Sequence, residues 1–197
     1  FTVYAVWNSD DGGADQIIWR NLDGTGTGSD LMFIDDSATD LAIDVDGTDY
    51  NAATARSFAT WNLSTSRSDI SATTVNLYNE GKMDYNNAAL TPNAADGNLR
   101  IGANEAGTGS EYDGNFGELI MYDFALAASD RQKIETYLAI KWGITLDGDN
   151  DGDGTDHEAS NAEGIAEGDY VDADDNVIWD ASANSTYSCL LYTSPSP

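Results

Sequence analysis

Short runs of residues that alternate in polarity, or that are rich in aromatic and β-branched residues, recur throughout residues 1–122. Alternation puts every second side chain on one face, so each run predicts a β-strand. The runs are residues 1–7, 16–20, 31–34, 41–45, 56–62, 74–78, 83–85, 99–102 and 116–122. Turn signals such as Asp46-Gly47 and Asn79-Glu80-Gly81-Lys82 lie between them. Many short strands at this spacing predict an antiparallel sandwich or barrel rather than alternating strands and helices.

One amphipathic helix follows the strands. Its apolar positions recur at helical spacing and are Ile134, Tyr137, Leu138 and Trp142. Ser129, with Gln132 three residues later, predicts an N-cap with a capping box. Gly143 predicts the C-cap, because glycine adopts the left-handed conformation that ends many helices. We therefore expect a closing helix over residues 129–142.

The pattern changes again after the helix. Residues 147–169 are rich in glycine and aspartate, which predicts an acidic insertion. Residues 170–171 and 176–180 then predict two strands of a hairpin around Ala173-Asp174-Asp175. We interpret residues 170–188 as the start of a following β module.

Several of these segments resemble known families. Residues 98–102 and 114–126 resemble the closing strands of laminin-G-like and pentraxin-like jelly rolls. Residues 75–83 are similar to a hairpin of the same families, although Glu80 replaces the usual asparagine. The segment from Arg131 to Leu146 resembles part of an uncharacterised domain of large bacterial surface proteins and adhesins. In that domain a hairpin ending in Val-Ile-Trp-Asp commonly follows.

The resemblance extends over residues 1–180 and implies the fold class. It implies an all-β, antiparallel two-sheet jelly-roll sandwich of the laminin-G-like, concanavalin-A-like kind, with one C-terminal α-helix. The sandwich with its closing helix would occupy residues 1–146. Phe1 lies in mid-strand, so we expect the first strand of the family to be missing.

The last residues, 189–197, differ abruptly in composition from what precedes them. They resemble the translation of a sequencing adapter, a contaminant of metagenomic assemblies. We therefore expect this tail, with the single cysteine Cys189, to be non-native.

Charge restricts the partners. There are 35 acidic and 8 basic residues, which gives a net charge of −27. Such a chain repels phosphate backbones and anionic membranes, so we expect no nucleic-acid partner and no membrane insertion. Clustered carboxylates instead favour divalent cations. One cysteine and one histidine exclude an internal disulfide framework and a cysteine/histidine zinc site.

The acidic insertion contains a candidate calcium loop. Its sequence fits the pattern D-x-D-x-D-G-x5-E, in which oxygens at alternate positions converge on one ion. The predicted ligands are Asp147, Asp149, Asp151, Asp153, Thr155 and Glu158. Flanking helices are not predicted, so an extracellular acidic loop fits better than an EF-hand. The alternative is a solvated linker without a metal.

Other sites have weaker support in the sequence. The paired-carboxylate pattern E-x-D-x-x-E of glucanases with this fold is absent from the chain. Aromatic side chains could stack on sugars, but their positions in strands favour core packing. These aromatic residues are Trp7, Trp19, Trp61, Tyr50, Tyr78 and Tyr85.

The sequence thus predicts a non-catalytic binding or adhesion module of a secreted bacterial surface protein. We expect it to be extracellular or at the cell surface, to bind a glycan or a surface protein, and to be stabilised by calcium. It would lie beside other domains of a larger chain. The first alternative is a structural spacer that calcium makes rigid. The second is a glycoside hydrolase-like enzyme of the same fold.

Overall fold

The computed structural model describes residues 1–10, 15–22, 29–36, 40–45, 48–52, 60–87, 99–103, 110–149, 153, 158, 160 and 163–184. Within these ranges the chain forms twelve strands and one helix, α1 (Ala128–Trp142). The strands are β1 (Thr2–Ser9), β2 (Gln16–Leu22), β3 (Ser29–Asp36), β4 (Asp40–Val45), β5 (Thr48–Asn51), β6 (Asn62–Asp69), β7 (Thr74–Asn79), β8 (Lys82–Asn87), β9 (Leu99–Ile101), β10 (Gly114–Tyr122), β11 (Tyr170–Val171) and β12 (Val177–Trp179).

Ten of these strands form two five-stranded sheets. The sheet next to α1, called the helix-side sheet, has the order β10-β1-β6-β7-β8. The other, called the far sheet, has the order β5-β4-β3-β2-β9. Neighbouring strands in both sheets are antiparallel. The predicted antiparallel two-sheet sandwich with one helix is therefore confirmed.

Strand β1 contributes to two cores, one on each of its faces. Val3, Ala5 and Trp7 lie in the core between the two sheets, here called the inter-sheet core. Tyr4 and Val6 lie in the core between the helix-side sheet and α1, here called the helix-side core. Burial on both faces explains why β1 is a continuous apolar run rather than a clean alternation.

The strand predicted over residues 56–62 is tested only at its end, where Thr60 and Trp61 lie outside any strand and β6 begins at Asn62. Residues 53–59 lie outside the described residues. Much of β6 is polar. Hydroxyl groups occupy buried positions for which an alternating strand pattern predicts apolar side chains. Ser64 Oγ, for example, accepts a hydrogen bond of 3.0 Å from Trp7 Nε1. Paired hydroxyls can replace apolar groups in a core at little cost.

The turn predicted between β7 and β8 is confirmed. Asn79 pairs with Lys82, which leaves a two-residue connection. Glu80 and Gly81 both have positive φ, 54° and 88°. Two positive φ values are typical of the type I′ hairpin turn, whose twist matches that of the strands. The turn predicted at Asp46-Gly47 lies outside the described residues.

The predicted capping box at the start of the helix is wrong. The N-cap is Ala127 rather than Ser129, and it makes no side-chain capping hydrogen bond. Gln132 instead turns toward the following segment. Its Nε2 donates to the carbonyl oxygens of Ala166 at 2.7 Å and Asp169 at 3.1 Å. Burial of the amide against these backbone acceptors outweighs a local bond at the helix terminus.

The C-cap is confirmed, but the helix face is more polar than predicted. Gly143 adopts the left-handed conformation at φ 69°. Leu138 is buried, whereas Tyr137 is 48% exposed. Arg131 and Glu135 are buried in its place. The buried face of α1 is thus set partly by charged groups.

The hairpin of β11 and β12 is also confirmed, and it contacts α1 and the helix-side core. The Tyr170 ring is buried there, and its hydroxyl accepts a 3.0 Å hydrogen bond from Leu146 N. Val171 N donates to Thr136 Oγ1 on α1. The predicted start of a following module at residue 170 stays a prediction. In the described part of the chain, no helix has the length and apolarity needed to cross a bilayer.

Candidate functional site

The two sheets differ in what covers their outer faces. Helix α1 and the β11–β12 hairpin pack on the outer face of the helix-side sheet. Among the described helices and strands, none lies over the outer face of the far sheet. Ile17, Ala42 and Asp44 on that face are nevertheless only 4%, 0% and 7% exposed, so the face is not an open surface at these positions.

Two arginines lie side by side on this face. Trp19 of β2 is buried in the inter-sheet core, so the next residue, Arg20, lies on the opposite, outer face. Arg20 is directly opposite Arg100 of β9 in the antiparallel register. Both side chains are half-buried, and both Nε atoms are buried without a hydrogen-bond partner. We call these two residues the arginine pair.

The arginine pair stands apart from the other basic residues. The chain has 8 of them, and Arg56 lies outside the described residues. Among the described ones, these have carboxylate partners: Arg67 with Asp69, Lys82 with Asp149, Arg131 with Glu135 and Glu163, Lys133 with Asp130 and Asp175, and Lys141 with Glu118. In the same part of the chain, Arg20 and Arg100 make no ion pair.

A buried ion-pair network lies under α1. The Arg131 side chain is fully buried, and its two terminal nitrogens contact Glu135 Oε2 at 2.9 Å and Glu163 Oε2 at 2.6 Å. Its guanidinium carbon lies 3.8 Å from the ring centre of Tyr78, a cation–π geometry. Thr65 Oγ1 donates to the other oxygen of Glu135 at 3.0 Å. The network joins α1 to strands β6 and β7.

Burial shifts the acid–base properties of this network. Desolvation raises the pKa of Glu135, and Arg131 opposes the rise without cancelling it. Burial also raises the pKa of Tyr78 and of Tyr4. For Arg131, burial lowers the pKa, but Glu135, Tyr78 and Glu163 outweigh it and raise the pKa overall. The guanidinium therefore stays charged and holds the two carboxylates together.

The network is not arranged for hydrolysis of a saccharide. Glu135 is 2% exposed and lies between Arg131 and Thr65, so no substrate reaches its carboxylate. A glycosidase needs its two carboxyl groups on either side of an accessible bond. These contacts instead describe a structural attachment of the helix.

The structure describes four of the six predicted calcium ligands; Asp151 and Thr155 lie outside the described residues. Asp149 is buried, its N–H donates to Asp147 Oδ1, and its Oδ2 lies 3.7 Å from Lys82 Nζ. Asp147 N donates to the carbonyl of Glu80. The start of the predicted loop is thus fixed against the β7–β8 turn.

The other two described ligands are Asp153 and Glu158. Asp153 is exposed, and Glu158 N donates to Glu167 Oε2 at 3.3 Å. Among the described residues, no group of three or more acidic, histidine or cysteine side chains has a metal-binding arrangement. The calcium loop therefore stays a prediction.

The aromatic residues singled out in the sequence are mostly core residues. Trp7, Trp19 and Tyr78 are fully buried, as core packing predicts. Trp61 is half-buried and packs against Trp142 of α1, with ring centres 4.9 Å apart. None of these four offers a face to a sugar.

An apolar groove of about 560 Å³ lies between α1 and the β11–β12 hairpin. Tyr137, Ile140 and Ile178 line it and are 48%, 38% and 50% exposed. Nothing in the structure indicates what would cover these side chains, so the groove does not define a ligand.

The sequence pattern gave no indication of the arginine pair or of the ion-pair network. The pairing of β2 with β9, residues far apart in the chain, brings Arg20 and Arg100 together. A usable signal existed in composition, because basic residues are rare and three of them, Arg20, Arg56 and Arg100, fall inside predicted strands. For Arg131 and Glu135 the signal was their spacing of four residues on a helix.

Comparisons with known proteins agree with the fold. The sequence model of a family described as a domain of unknown function (DUF8202) matches residues 130–189. That segment contains most of α1, the acidic stretch and the β11–β12 hairpin. No curated protein matches the chain.

Solved structures match over most of the sandwich. The CBM40 of Ruminococcus gnavus IT-sialidase, bound to α2,3-sialyllactose, matches with a TM-score of 0.54 and 14% identity, over 66% of this chain and 78% of that one. A SAP-like pentraxin of Limulus polyphemus matches with a TM-score of 0.55 and 13% identity, over 68% of both chains. A leech intramolecular trans-sialidase matches with a TM-score of 0.51 and 14% identity, over 76% of this chain and 24% of that one. The chain therefore has the jelly-roll fold of these proteins.

Proposed function

We propose that this chain is a non-catalytic carbohydrate-binding module of a secreted surface protein. The observation that carries the proposal is the exposed edge of the far sheet, where Leu99 and Ile101 of β9 are 44% and 51% exposed, on a sandwich whose other sheet is covered by α1. Similarity of fold to a sialidase CBM40 supports a glycan as the ligand class. Function is set by the site rather than by the fold, so the exposed edge of the far sheet is the part to test.

Binding rather than hydrolysis fits the described carboxylates. Glu135 and Glu163 are held by one buried arginine, and Asp149, one of the predicted calcium ligands, lies 3.7 Å from Lys82 of the β7–β8 hairpin. The hydrolase alternative requires a pair of accessible carboxyl groups on one cleft. Incubation with the glycans that bind, followed by analysis of released sugars, distinguishes a binding module from a hydrolase. A binding module leaves the glycans intact.

A glycan array with the full chain tests the proposal. The array should contain neutral, sialylated, uronic acid-containing and sulfated glycans, so that the ligand class is read in one experiment. We expect retention of at least one glycan class, with a dissociation constant in the micromolar to millimolar range. An array without any retained glycan, run with folded protein, would overturn the proposal in favour of the spacer.

We also propose that calcium binds the acidic loop of this module and stabilises it. Sequence spacing supports this, as does the attachment of Asp147 and Asp149 to the β7–β8 turn, which would fix one end of the loop. Ligands held in place before binding lose less entropy when the ion binds.

Thermal melting with and without calcium chloride tests this role. We expect calcium to raise the melting temperature of the wild type, because an ion that binds only the folded state stabilises it. Asp151→Asn with Asp153→Asn should abolish the rise. Asp123→Asn with Asp174→Asn is the matched control, since both side chains are exposed and the same two charges are removed. The proposal fails if calcium leaves the wild type unchanged, both in melting temperature and in calorimetry.

A further inference from the structure

A groove of about 490 Å³ opens between the two sheets, beside the exposed edge of the far sheet. Trp19 and Asn21 of β2 line its far-sheet side. In the antiparallel register these two residues lie opposite Ile101 and Leu99, the exposed residues of β9. Met121 of β10, which is 40% exposed, lines the side formed by the helix-side sheet. The groove therefore lies where the inter-sheet core meets the exposed edge.

A second groove, of about 340 Å³, adjoins the first. Phe1, Ile70 and Asp123 line both grooves and lie at strand ends, before β1, after β6 and after β10. We call the two grooves together the end groove. Every residue that lines it belongs to the described part of the chain. Each volume falls within the range of about 300–1,000 Å³ that is usual for ligand pockets.

Two aromatic rings of the end groove are each held edge-on by a second ring. The Phe1 ring packs on Trp19, with ring centres 5.8 Å apart and planes at 83°. The Phe124 ring packs on Tyr122, with ring centres 5.8 Å apart and planes at 66°. Phe124 is 55% exposed, and Phe1 is half-buried. The carbon–hydrogen face of a sugar ring packs on aromatic faces of this kind, because the contact removes apolar surface from water.

Asp123 and Asn21 supply polar groups to the end groove. A carboxylate accepts hydrogen bonds from two neighbouring hydroxyl groups, and an amide both donates and accepts. The backbone beside Asp123 is fixed by Thr2, whose hydroxyl donates to Phe124 O at 3.2 Å and accepts from Leu126 N at 2.9 Å. Groups that are fixed before binding lose less entropy when the ligand binds. The end groove thus combines fixed aromatic faces with hydrogen-bonding groups that match a saccharide.

The charges around the end groove favour an uncharged ligand. The net charge of −27 repels an anion at long range. Two cationic groups nearby are already bonded. The amino group of Phe1 donates to Ser68 O at 2.8 Å, and Arg67 contacts Asp69 at 3.5 Å. A sugar carboxylate would have to compete with these contacts and would be repelled by Asp123.

Asp69 also lines the end groove, but its contacts do not suit catalysis. Its Oδ1 accepts hydrogen bonds from Ser71 N at 3.0 Å, Ser71 Oγ at 2.6 Å and Ala72 N at 3.1 Å. The Ser71 hydroxyl first, and then the Ala72 N–H, hold the pKa of Asp69 below its ordinary value. A glycosidase needs one carboxyl group that keeps its proton near neutral pH. Asp69 is therefore not such an acid, and it fixes the turn after β6 instead.

We propose that the end groove binds an uncharged sugar residue of the glycan. The carbon–hydrogen face of the sugar ring packs on Phe1 and Phe124. Its hydroxyl groups bond to the Asp123 carboxylate and the Asn21 amide. The inference rests on the proposed carbohydrate-binding function and names the site and the ligand class.

Ligand-observed NMR titration with matched methyl glycosides tests the ligand class. The probes are the methyl glycosides of glucose, galactose and mannose, each with its uronic acid counterpart. We expect the wild type to bind at least one neutral glycoside. The corresponding uronic acid should bind at least about tenfold more weakly, because it adds a like charge beside Asp123. Equal or tighter binding of the acid would overturn the assignment of an uncharged ligand.

Variants of the end groove test the residues. Asp123→Ala should weaken binding of the neutral glycoside by about tenfold or more, as loss of a hydrogen bond to a charged group implies. It should also reduce the discrimination against the uronic acid, since the like charge is gone. Phe124→Leu keeps an apolar side chain but loses the ring, so we expect a loss of about threefold to tenfold. Asn21→Ala, on the far sheet, should weaken binding by about threefold or more.

Asp174→Ala and Phe116→Leu are the matched controls. Asp174 is an exposed carboxylate in the turn of the β11–β12 hairpin. Phe116 is 37% exposed and lies near the start of β10, whereas Phe124 follows its end. Both controls should bind as the wild type does. A loss of binding with Phe116→Leu but not with Phe124→Leu would place the ligand elsewhere and overturn the inference.

The outcomes separate this inference from the proposed function. If the array retains a glycan but Asp123→Ala and Phe124→Leu bind it as the wild type does, the end groove is not the site and the inference fails alone. It also fails alone if the array retains a glycan but none of the neutral glycosides binds. If no glycan binds, the proposed function and the inference fail together. Melting curves check that each variant is folded, and Asn21→Ala provides the comparison if Phe124→Leu does not fold.

Discussion

The inter-sheet core and the helix-side core share strand β1 but are stabilised differently. The inter-sheet core is centred on close-packed apolar side chains such as Trp7, Trp19 and Leu77. The helix-side core combines apolar packing with the network of Arg131, Glu135 and Glu163. Apolar packing is tolerant of orientation, whereas a buried ion pair is satisfied in one geometry only. The comparison suggests that the first core supplies most of the stability and the second fixes where the helix lies.

Removing the central cation should have the largest effect. Arg131→Met leaves the buried carboxylate of Glu135 without its counterion, so we expect a loss of about 3–5 kcal/mol in the free energy of unfolding. The loss should shrink at acidic pH, where protonation removes the uncompensated charge. Urea unfolding of the wild type and the variant at pH 5 and pH 8 measures this loss and its pH dependence. An equal loss at the two pH values would contradict the role of the network.

The corresponding change in the inter-sheet core is Leu77→Ala. Leu77 is fully buried, and truncating it leaves a cavity, which costs about 2–5 kcal/mol. Because no charge is involved, this loss should be the same at pH 5 and pH 8. The same urea experiment therefore distinguishes the two cores by the pH dependence of the loss in unfolding free energy, and not only by the magnitude of that loss. A pH-dependent loss for Leu77→Ala would remove the distinction.

Gly117→Ala should disturb the packing of α1 against the helix-side sheet without removing a charged residue. A Cβ at Gly117 of β10 would lie 2.8 Å from ring atoms of Trp142, so the indole must move. That movement also breaks the 3.2 Å hydrogen bond from Trp142 Nε1 to Glu118 Oε2. We expect a loss of about 1–3 kcal/mol, measured by thermal melting, together with a change in tryptophan fluorescence. Unchanged fluorescence would show that the ring does not pack there.

Glu135→Gln should have the smallest effect near neutral pH. The amide keeps the shape and can still accept from Arg131, while Glu163 still neutralises the guanidinium. Burial raises the folded-state pKa of Glu135 above its unfolded value, so protonation favours the folded chain. Its contribution is therefore present at low pH and is lost as the pH rises through the raised pKa. The variant's stability should change less with pH than that of the wild type, as urea unfolding across pH 4–8 would show; parallel curves would contradict this.

Strand pattern and fold class were predictable because alternation depends on local sequence. The runs at residues 41–45 and 74–78 agree with the bounds of β4 and β7 to about one residue. Strand β6 was missed because serine and threonine occupy buried positions, where the hydroxyls of Ser64 and Thr65 pair with residues distant in the chain. The capping box failed for a similar reason, since Gln132 bonds to backbone carbonyls more than thirty residues away.

The candidate site was less predictable than the fold. The predicted calcium ligands follow from local spacing alone, and that prediction stays untested. The arginine pair depends on the register between β2 and β9, which no local pattern specifies. Its residues carry no motif; only the rarity of basic residues in this chain makes them stand out.

The position of β1 has a consequence for how the chain acquires its fold. Val3 pairs with Ser66 on one side and with Met121 on the other, so neither neighbour of this strand is local in sequence. Closing such long loops is slow, because entropy must be lost before the pairing contributes. During synthesis the first apolar strand would wait for both partners to emerge from the ribosome. The arrival of β10 is thus the step that completes the pairing of β1, whereas the helix-side core still needs Leu138 of α1 and Tyr170 of β11. The period before these segments arrive is when the nascent chain is most open to misassociation.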